Sequence, residues 1–229
     1  MKYILLFILC NIPIYSFNIN LGSTGLLFPY TLGALAYIKT HIKPTNYNFV
    51  GISGGTWCSL IYHFEKNITD HDQLWSILIG NKNYTISMLD NNNMQNFQQI
   101  VSTNMKNRYK NKNIINMPIS IITTKINNDK CIESIKITKF KDIDDLVNFC
   151  LCSSYIPYIS GKSLYMEYNN DKYIDGELFK NNNNFLKNAL LINKNTWKRK
   201  FTFRERIYLD YNQSAKLFEY GWKDAEQNL

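Results

Sequence analysis

Histidine is almost missing from this sequence. Only His41, His63 and His71 occur, and none follows residue 71. The common α/β-hydrolase triad runs serine, acid, histidine along the chain, so it needs a histidine in the later part. That order has no residue to complete it here. Cysteine is also sparse, with five residues and no C-x-x-C spacing. With so little histidine, the ligand sets of a zinc site are absent, and neither a metal nor a cofactor is expected. The chain has no internal repeat and no linker, so its 229 residues read as one domain with a full-sized core. A 45% hydrophobic and 19% charged composition fits a globular chain rather than a disordered one. Asn, Lys, Ile and Tyr are all frequent, a mix that points to a biased nucleotide composition.

The longest apolar run, Tyr3 to Cys10, is shorter than the roughly 20 residues of a membrane-spanning helix. Preceded by Lys2 and followed by Asn11, Pro13 and Ser16, it reads as a short secretory signal peptide over residues 1–16. The alternative is an uncleaved apolar anchor that would hold the protein at a membrane. If the leader is removed, Cys58, Cys131, Cys150 and Cys152 remain, an even number that permits disulfides without pairing them. Sequons at Asn67, Asn83 and Asn212 are what so Asn-rich a chain produces by chance. The net charge of +8 would favour anionic surfaces. Its densest part, residues 197–206, mixes Lys198, Arg199, Lys200, Arg204 and Arg206 with Trp197, Phe201 and Phe203. That combination suits transient binding at a membrane interface, and equally a solvated loop and helix. No nucleic acid partner is expected.

Apolar periodicity gives a strand over 17–21, a helix over 29–42, a second strand over 47–52 and a buried helix over 56–65. Such alternation predicts an α/β fold with a mainly parallel sheet. Further along, 86–110 reads as one or two helices interrupted at Asn91 to Asn93. Residues 119–126 and 132–140 read as strands around a turn at 127–130, and Asp142 as the cap of a helix. A hairpin is expected around 169–171, a short strand over 189–193 and a closing helix over 214–227.

The strongest local signal is Gly51-Ile52-Ser53-Gly54-Gly55, which fits G-x-S-x-G, the nucleophile elbow. Small neighbours such as Gly51 and Gly55 let the chain turn sharply and expose the Ser53 hydroxyl. A strand before it and a helix after it supply the required context. A structural glycine turn is the plain alternative. A phosphate-binding loop would want Lys after the glycines, where Thr56-Trp57 stand. Without a suitable histidine, a carboxylate must serve as base. Asp175 is the best placed, at the end of an apolar stretch and before Gly176, although Asp-Gly is also a common hairpin turn.

Together these residues resemble the patatin-like phospholipases, over nearly the whole chain after Ser16. The Gly-rich turn from Gly22 to Tyr30, the elbow at Ser53, and Asp175-Gly176 occur in the family's order and spacing. The segment Cys152-Ser153-Ser154-Tyr155-Ile156-Pro157 is similar to the Ala-Ser-x-x-x-Pro stretch that precedes the family's Asp motif, and 218–225 is similar to its closing helix. The resemblance implies a three-layer α/β/α sandwich and a Ser53–Asp175 dyad. It also implies an oxyanion hole from the backbone of Thr24, Gly25, Leu26 and Gly54. The implied activity is cleavage of phospholipid or acylglycerol esters at a membrane or droplet surface. A lipid-binding member of weak or no activity, and an acyltransferase using the same dyad, are the alternatives. Two departures stand out: Ser23 and Thr24 replace glycines of the first turn, and Glu177 replaces a small residue.

Overall fold

A computed structural model describes residues 16–127 and 132–229. The expected signal peptide and most of the turn at 127–130 lie outside the described residues. The chain opens with β1 (Phe17–Leu21), a 3-10 turn (Gly25–Leu27) and α1 (Phe28–Tyr37), which continues as a π-helical turn (Ile38–Ile42). Next come β2 (Tyr47–Ile52), α2 (Gly54–Phe64), α3 (His71–Leu78), β3 (Ile86–Ser87) and α4 (Asn91–Tyr109). The middle holds β4 (Ile119–Ile126), β5 (Ile132–Ile137), α5 (Ile143–Ser153), β6 (Met166–Tyr168) and β7 (Asp171–Ile174). The end holds β8 (Leu190–Ile192), α6 (Phe203–Ile207), β9 (Tyr208–Leu209) and α7 (Tyr211–Asn228). No helix among the described residues is long and apolar enough to cross a membrane.

The fold is mixed α/β, with a mostly parallel central sheet flanked by helices, as the alternation predicts. Strands β8, β1, β2 and β4 lie side by side and parallel. Strand β5 pairs antiparallel with β4 over Ile121 to Ile126. Strand β2 pairs with Ile119 to Ile122, and β7 pairs antiparallel with Thr124 to Ile126. Because β5 occupies one edge of β4 over 121–126, overlapping both stretches, β2 and β7 share the other edge, one beyond the other. They run toward each other, so their C-terminal ends meet.

Alternation along β2 sends Phe49 into the main helical core and Val50 and Ile52 to the opposite face, with Ile122. There Phe185 and Leu186 cover them, after a 3-10 turn at Asn182–Asn184. The Asn20 side chain holds that layer down through two hydrogen bonds to the Leu186 backbone, both 3.0 Å. On the helical side, aspartates cap the helices: Asp70, Asp90, Asp142 and Asp210 each accept a first-turn N–H.

The asparagine run does not divide 86–110 into two helices. Asp90 accepts from the N–H groups of Asn92 and Asn93, making these residues the first turn of one helix. The Asn93 side chain is tied to the backbone of Thr85 and Ser87, so the strand at β3 feeds directly into α4.

Helices α1 and α7 cross closely because each brings a glycine to the contact. A Cβ on Gly33 would run into the Phe218 carbonyl, and one on Gly221 into the Tyr30 carbonyl. The Tyr30 hydroxyl donates to Asp224 at 2.8 Å, and Arg199 forks onto the same carboxylate. Helix α1 carries the 3-10 turn at its start, so this crossing also fixes that turn. Gly221→Ala should therefore lower stability by roughly 1–3 kcal/mol through overpacking. Urea unfolding of the variant against the parent protein measures the loss.

Candidate active site

Ser53 occupies the turn between β2 and α2, at φ 53° and ψ −127°. A non-glycine residue adopts that conformation only where its surroundings enforce it. Here the enforcement is visible. The Ser53 N–H donates to Ser153 Oγ at 2.9 Å, and its carbonyl accepts from the Thr56 N–H at 3.0 Å and hydroxyl at 2.7 Å. Ser153 Oγ in turn donates to the Ile122 carbonyl at 2.6 Å. The motif glycines admit close neighbours. A Cβ on Gly51 would stand 2.8 Å from Thr56 Cα, and one on Gly55 2.6 Å from the Leu21 carbonyl.

Asp175 follows β7 directly. Its backbone is clamped: its N–H donates to the Tyr155 carbonyl at 2.8 Å, and its carbonyl accepts from Thr124 Oγ1 at 3.1 Å. The next N–H, of Gly176, donates to the Ser153 carbonyl at 3.1 Å, and a side chain at Gly176 would strike the Ile122 carbonyl. The hairpin turn proper is two residues of asparagine, Asn169 and Asn170, at φ 52° and 64°. Asp175-Gly176 thus follows the strand and opens a separate tight turn, closed by the Leu178 N–H on the Asp175 carbonyl at 3.2 Å, and is not the hairpin turn.

Ser53 Oγ donates to Asp175 Oδ2 at 2.6 Å. The other carboxylate oxygen accepts from the Glu177 N–H at 2.8 Å. The Glu177 side chain itself points to solvent and lies 3.5 Å from Lys180, so it does not crowd the pair. Both Ser53 and Asp175 are 3% exposed. Burial pushes the Asp175 carboxyl up to about 6, against the opposing pull of the Ser53 hydroxyl and the Glu177 N–H.

No histidine reaches this pair. His63 meets the Tyr47 hydroxyl at 3.0 Å, His71 meets Ser214 Oγ at 2.9 Å, and His41 stacks on Tyr37. Of the described cysteines, Cys58, Cys150 and Cys152 are buried free thiols. Cys10 and Cys131 lie outside the described residues.

The Gly-rich turn lies against the elbow. Gly25 takes the left-handed conformation, at φ 52°, while Thr24 stays at φ −119°. Thr24, one of the departures from the resembled turn, therefore falls where a β-branched residue is at ease. Gly22 is pinned by its N–H to the Ile192 carbonyl at 2.9 Å. Gly25, Leu26, Ser53 and Gly54 line one pocket, and their first-turn N–H groups at 25, 26 and 54 have no intrahelical acceptor. Thr24 is not in the lining. Its hydroxyl is buried without a hydrogen-bond partner and packs where a Gly54 side chain would be.

The rest of the pocket wall is apolar: Phe28, Trp57, Leu78, Met88, Met94, Phe97, Val101 and Ile156. Residues 94, 97, 98 and 101 come from one face of α4. That face is readable from i, i+3, i+4, i+7 spacing only if the helix is taken as continuous. Gln98 and Ser154 are the polar members: Gln98 is committed to the Ser154 carbonyl at 2.8 Å and Ser160 Oγ at 3.1 Å, and the Ser154 hydroxyl donates to the Cys150 carbonyl at 2.8 Å.

No model of a known protein family matches the sequence, and no curated protein matches it.

Two outcomes follow from this geometry. Ser153→Ala leaves the buried Ser53 N–H and Ile122 carbonyl without their shared partner, which should cost about 1–3 kcal/mol in chemical denaturation. Asp175 has a folded-state pKa of about 6, above its unfolded value near 4, so the stability it contributes at low pH is lost as pH rises through about 6. Asp175→Asn should therefore melt higher than the parent protein at pH 7–8. The advantage, of order 1–3 kcal/mol, should shrink toward zero as the pH falls to about 4. Thermal melts of both proteins across that range check it.

Proposed function

We propose that the protein is a serine lipid acyl hydrolase of the patatin-like type, with Ser53 as nucleophile and Asp175 as general base. The observation that carries this reading is the 2.6 Å hydrogen bond from Ser53 Oγ to Asp175 Oδ2 at a strand-to-helix turn. The chain's histidines are bonded elsewhere, so the carboxylate is the base within reach. Its raised pKa, about 6, lies close to neutrality, where a base is both deprotonated and strong enough to accept a proton.

In the proposed reaction Ser53 Oγ attacks the ester carbonyl carbon as its proton passes to Asp175 Oδ2. The carbonyl electron pair moves onto oxygen, where the N–H groups of Gly25, Leu26 and Gly54 receive the negative charge at the positive end of α2. Collapse of this intermediate expels the alcohol, which takes the proton from Asp175 and leaves Ser53 acylated. Water then attacks the acyl-enzyme, again giving its proton to Asp175. The fatty acid departs and Ser53 recovers its hydroxyl proton. The apolar wall from α4 suits a hydrocarbon chain, so phospholipids or acylglycerols are the proposed substrates.

A fluorophosphonate probe should label the purified protein at Ser53 and leave Ser53→Ala unlabelled. Absence of both Ser53-dependent labelling and ester hydrolysis would overturn the reading. With a soluble short-chain ester, kcat/KM should rise roughly tenfold per pH unit below about 6 and level off above it, as the Asp175 carboxylate forms. Activity that survives Asp175→Asn would assign the base elsewhere.

A further inference from the structure

Beside the pocket, two apolar side chains stand in solvent: Leu89 is 75% exposed and Phe203 is 72% exposed. Distant in sequence, they are neighbours in the fold. Strands β3 and β9 pair antiparallel, and the Met88 N–H donates to the Ile207 carbonyl at 2.8 Å. Leu89 is thus one residue beyond that bond, and Phe203 one helical turn before it. Helix α6, which begins at Phe203, packs against the Gly25–Leu27 turn. Gly25, Leu26 and Met88 all line the Ser53 pocket. The two exposed side chains therefore lie on the rim of that pocket.

The stretch that carries Phe203 is basic. Lys198, Lys200, Arg204 and Arg206 are exposed, and none has a carboxylate partner among the described residues. The nearby acids are engaged. Glu205 closes the capping box of α6 and lies 3.7 Å from Lys216, while Asp90 and Asp210 cap α4 and α7. The other members of the basic, aromatic stretch turn inward. Phe201 is buried edge-on to Tyr30, Trp197 packs on the same ring, and Arg199 holds Asp224. What remains outside is an apolar pair framed by unpaired cations.

We infer that this rim, Leu89 and Phe203 with Lys198, Lys200, Arg204 and Arg206, docks the protein on an anionic lipid bilayer with the pocket mouth facing the membrane. The inference rests on the reading of the pocket as a lipid site, and names the surface through which substrate arrives. An anionic bilayer satisfies both parts of the rim at once: the apolar pair enters the acyl boundary and the cations meet headgroup phosphates. A nucleic acid would answer the charge alone and leave the apolar pair in water.

The experiment is co-sedimentation of full-length Ser53→Ala protein, which cannot turn lipid over, with vesicles. One set is phosphatidylcholine alone and the other contains phosphatidylserine. Binding is expected on the phosphatidylserine vesicles, weakening as salt is raised. It should drop at least tenfold in two double variants, Leu89→Ser with Phe203→Ser, and Arg204→Gln with Arg206→Gln. Equal binding to both vesicle types, or variants that bind like the parent, overturns the proposal. So does loss of a concentration-dependent dimer in the same variants, which would make the rim a contact between copies. Placed in the Ser53-containing protein, the same substitutions should leave hydrolysis of a soluble ester unchanged, which shows that they fold. If no ester is hydrolysed by the parent protein while the vesicle results hold, the hydrolase reading fails and the docking surface stands.

Discussion

Two strands that run toward each other share one edge of β4, and the site lies where they stop. Strand β2 ends opposite Ile122 and β7 ends opposite Thr124, so a single residue, Thr123, lies between. Its hydroxyl and that of Thr124 reach the carbonyls of Ile174 and Asp175, both at 3.1 Å. Neither strand can slip along β4 without unpairing buried backbone groups and turning its side chains to the wrong face. Ser53 and Asp175 are the first residues beyond the two ends. Backbone pairing thus brings the two residues together, and their short side chains close the remaining gap to the 2.6 Å hydrogen bond. Ser153 closes the arrangement. Its hydroxyl joins Ser53 to Ile122, and its carbonyl receives the Gly176 N–H, so one residue of α5 holds both halves in register.

That closure also removes water. Desolvation is the largest influence on Asp175 and outweighs the two hydrogen bonds that favour its ionised form. A carboxylate kept basic this way is costly to the folded state, and the fold must offset it elsewhere. The close α1–α7 crossing and the Tyr30–Asp224–Arg199 group are features of that kind, tightly satisfied and remote from the pair. Strain is treated in the same manner. Ser53 is held in an unfavourable conformation by three hydrogen bonds, while the neighbouring turn assigns its left-handed position to Gly25, where no cost arises. The threonine at 24 therefore stands where the backbone path suits it.

Much of this was legible in the residues. Strands β1, β2 and β4 are short apolar runs bounded by turn residues, and α2 begins at glycines after a strand, so the elbow could be read with its context. Asp175 could not be assigned from local pattern, because Asp-Gly serves turns as readily as strand ends. Only the pairing of the preceding strand, β7, with β4 some fifty residues earlier separates the two. The helix α4 was obscured by three consecutive asparagines, whose role depends on Asp90 as cap and on Asn93 bonding back to β3. With that helix divided, the pocket wall it supplies had no visible periodicity. Helix α3 is short and polar at its start, and α6 is only five residues long, so neither gives a pattern. The Ser153 hydroxyl is a purely tertiary feature: it lies 100 residues from the Ser53 amide it holds.

The pocket combines a nearly dry serine hydroxyl with walls that offer few hydrogen bonds. Its polar wall residues are already committed, Gln98 to Ser154 and Ser160, and the Ser154 hydroxyl to the Cys150 carbonyl and the Trp57 indole N–H. A bound molecule can therefore gain from the walls only by burying apolar surface, which is tolerant of chain position. What fixes position must be the reacting group itself. The first-turn amides at 25, 26 and 54 are the unfilled donors beside Ser53, and an ester carbonyl is the part of a lipid that can fill them. In the proposed reaction these donors gain most as charge builds on that oxygen, so the group that sets the register is also the one the site stabilises in the transition state. On the proposed reading selectivity then divides in two: the walls accept the hydrocarbon chain, and the turn places its ester carbonyl at Ser53.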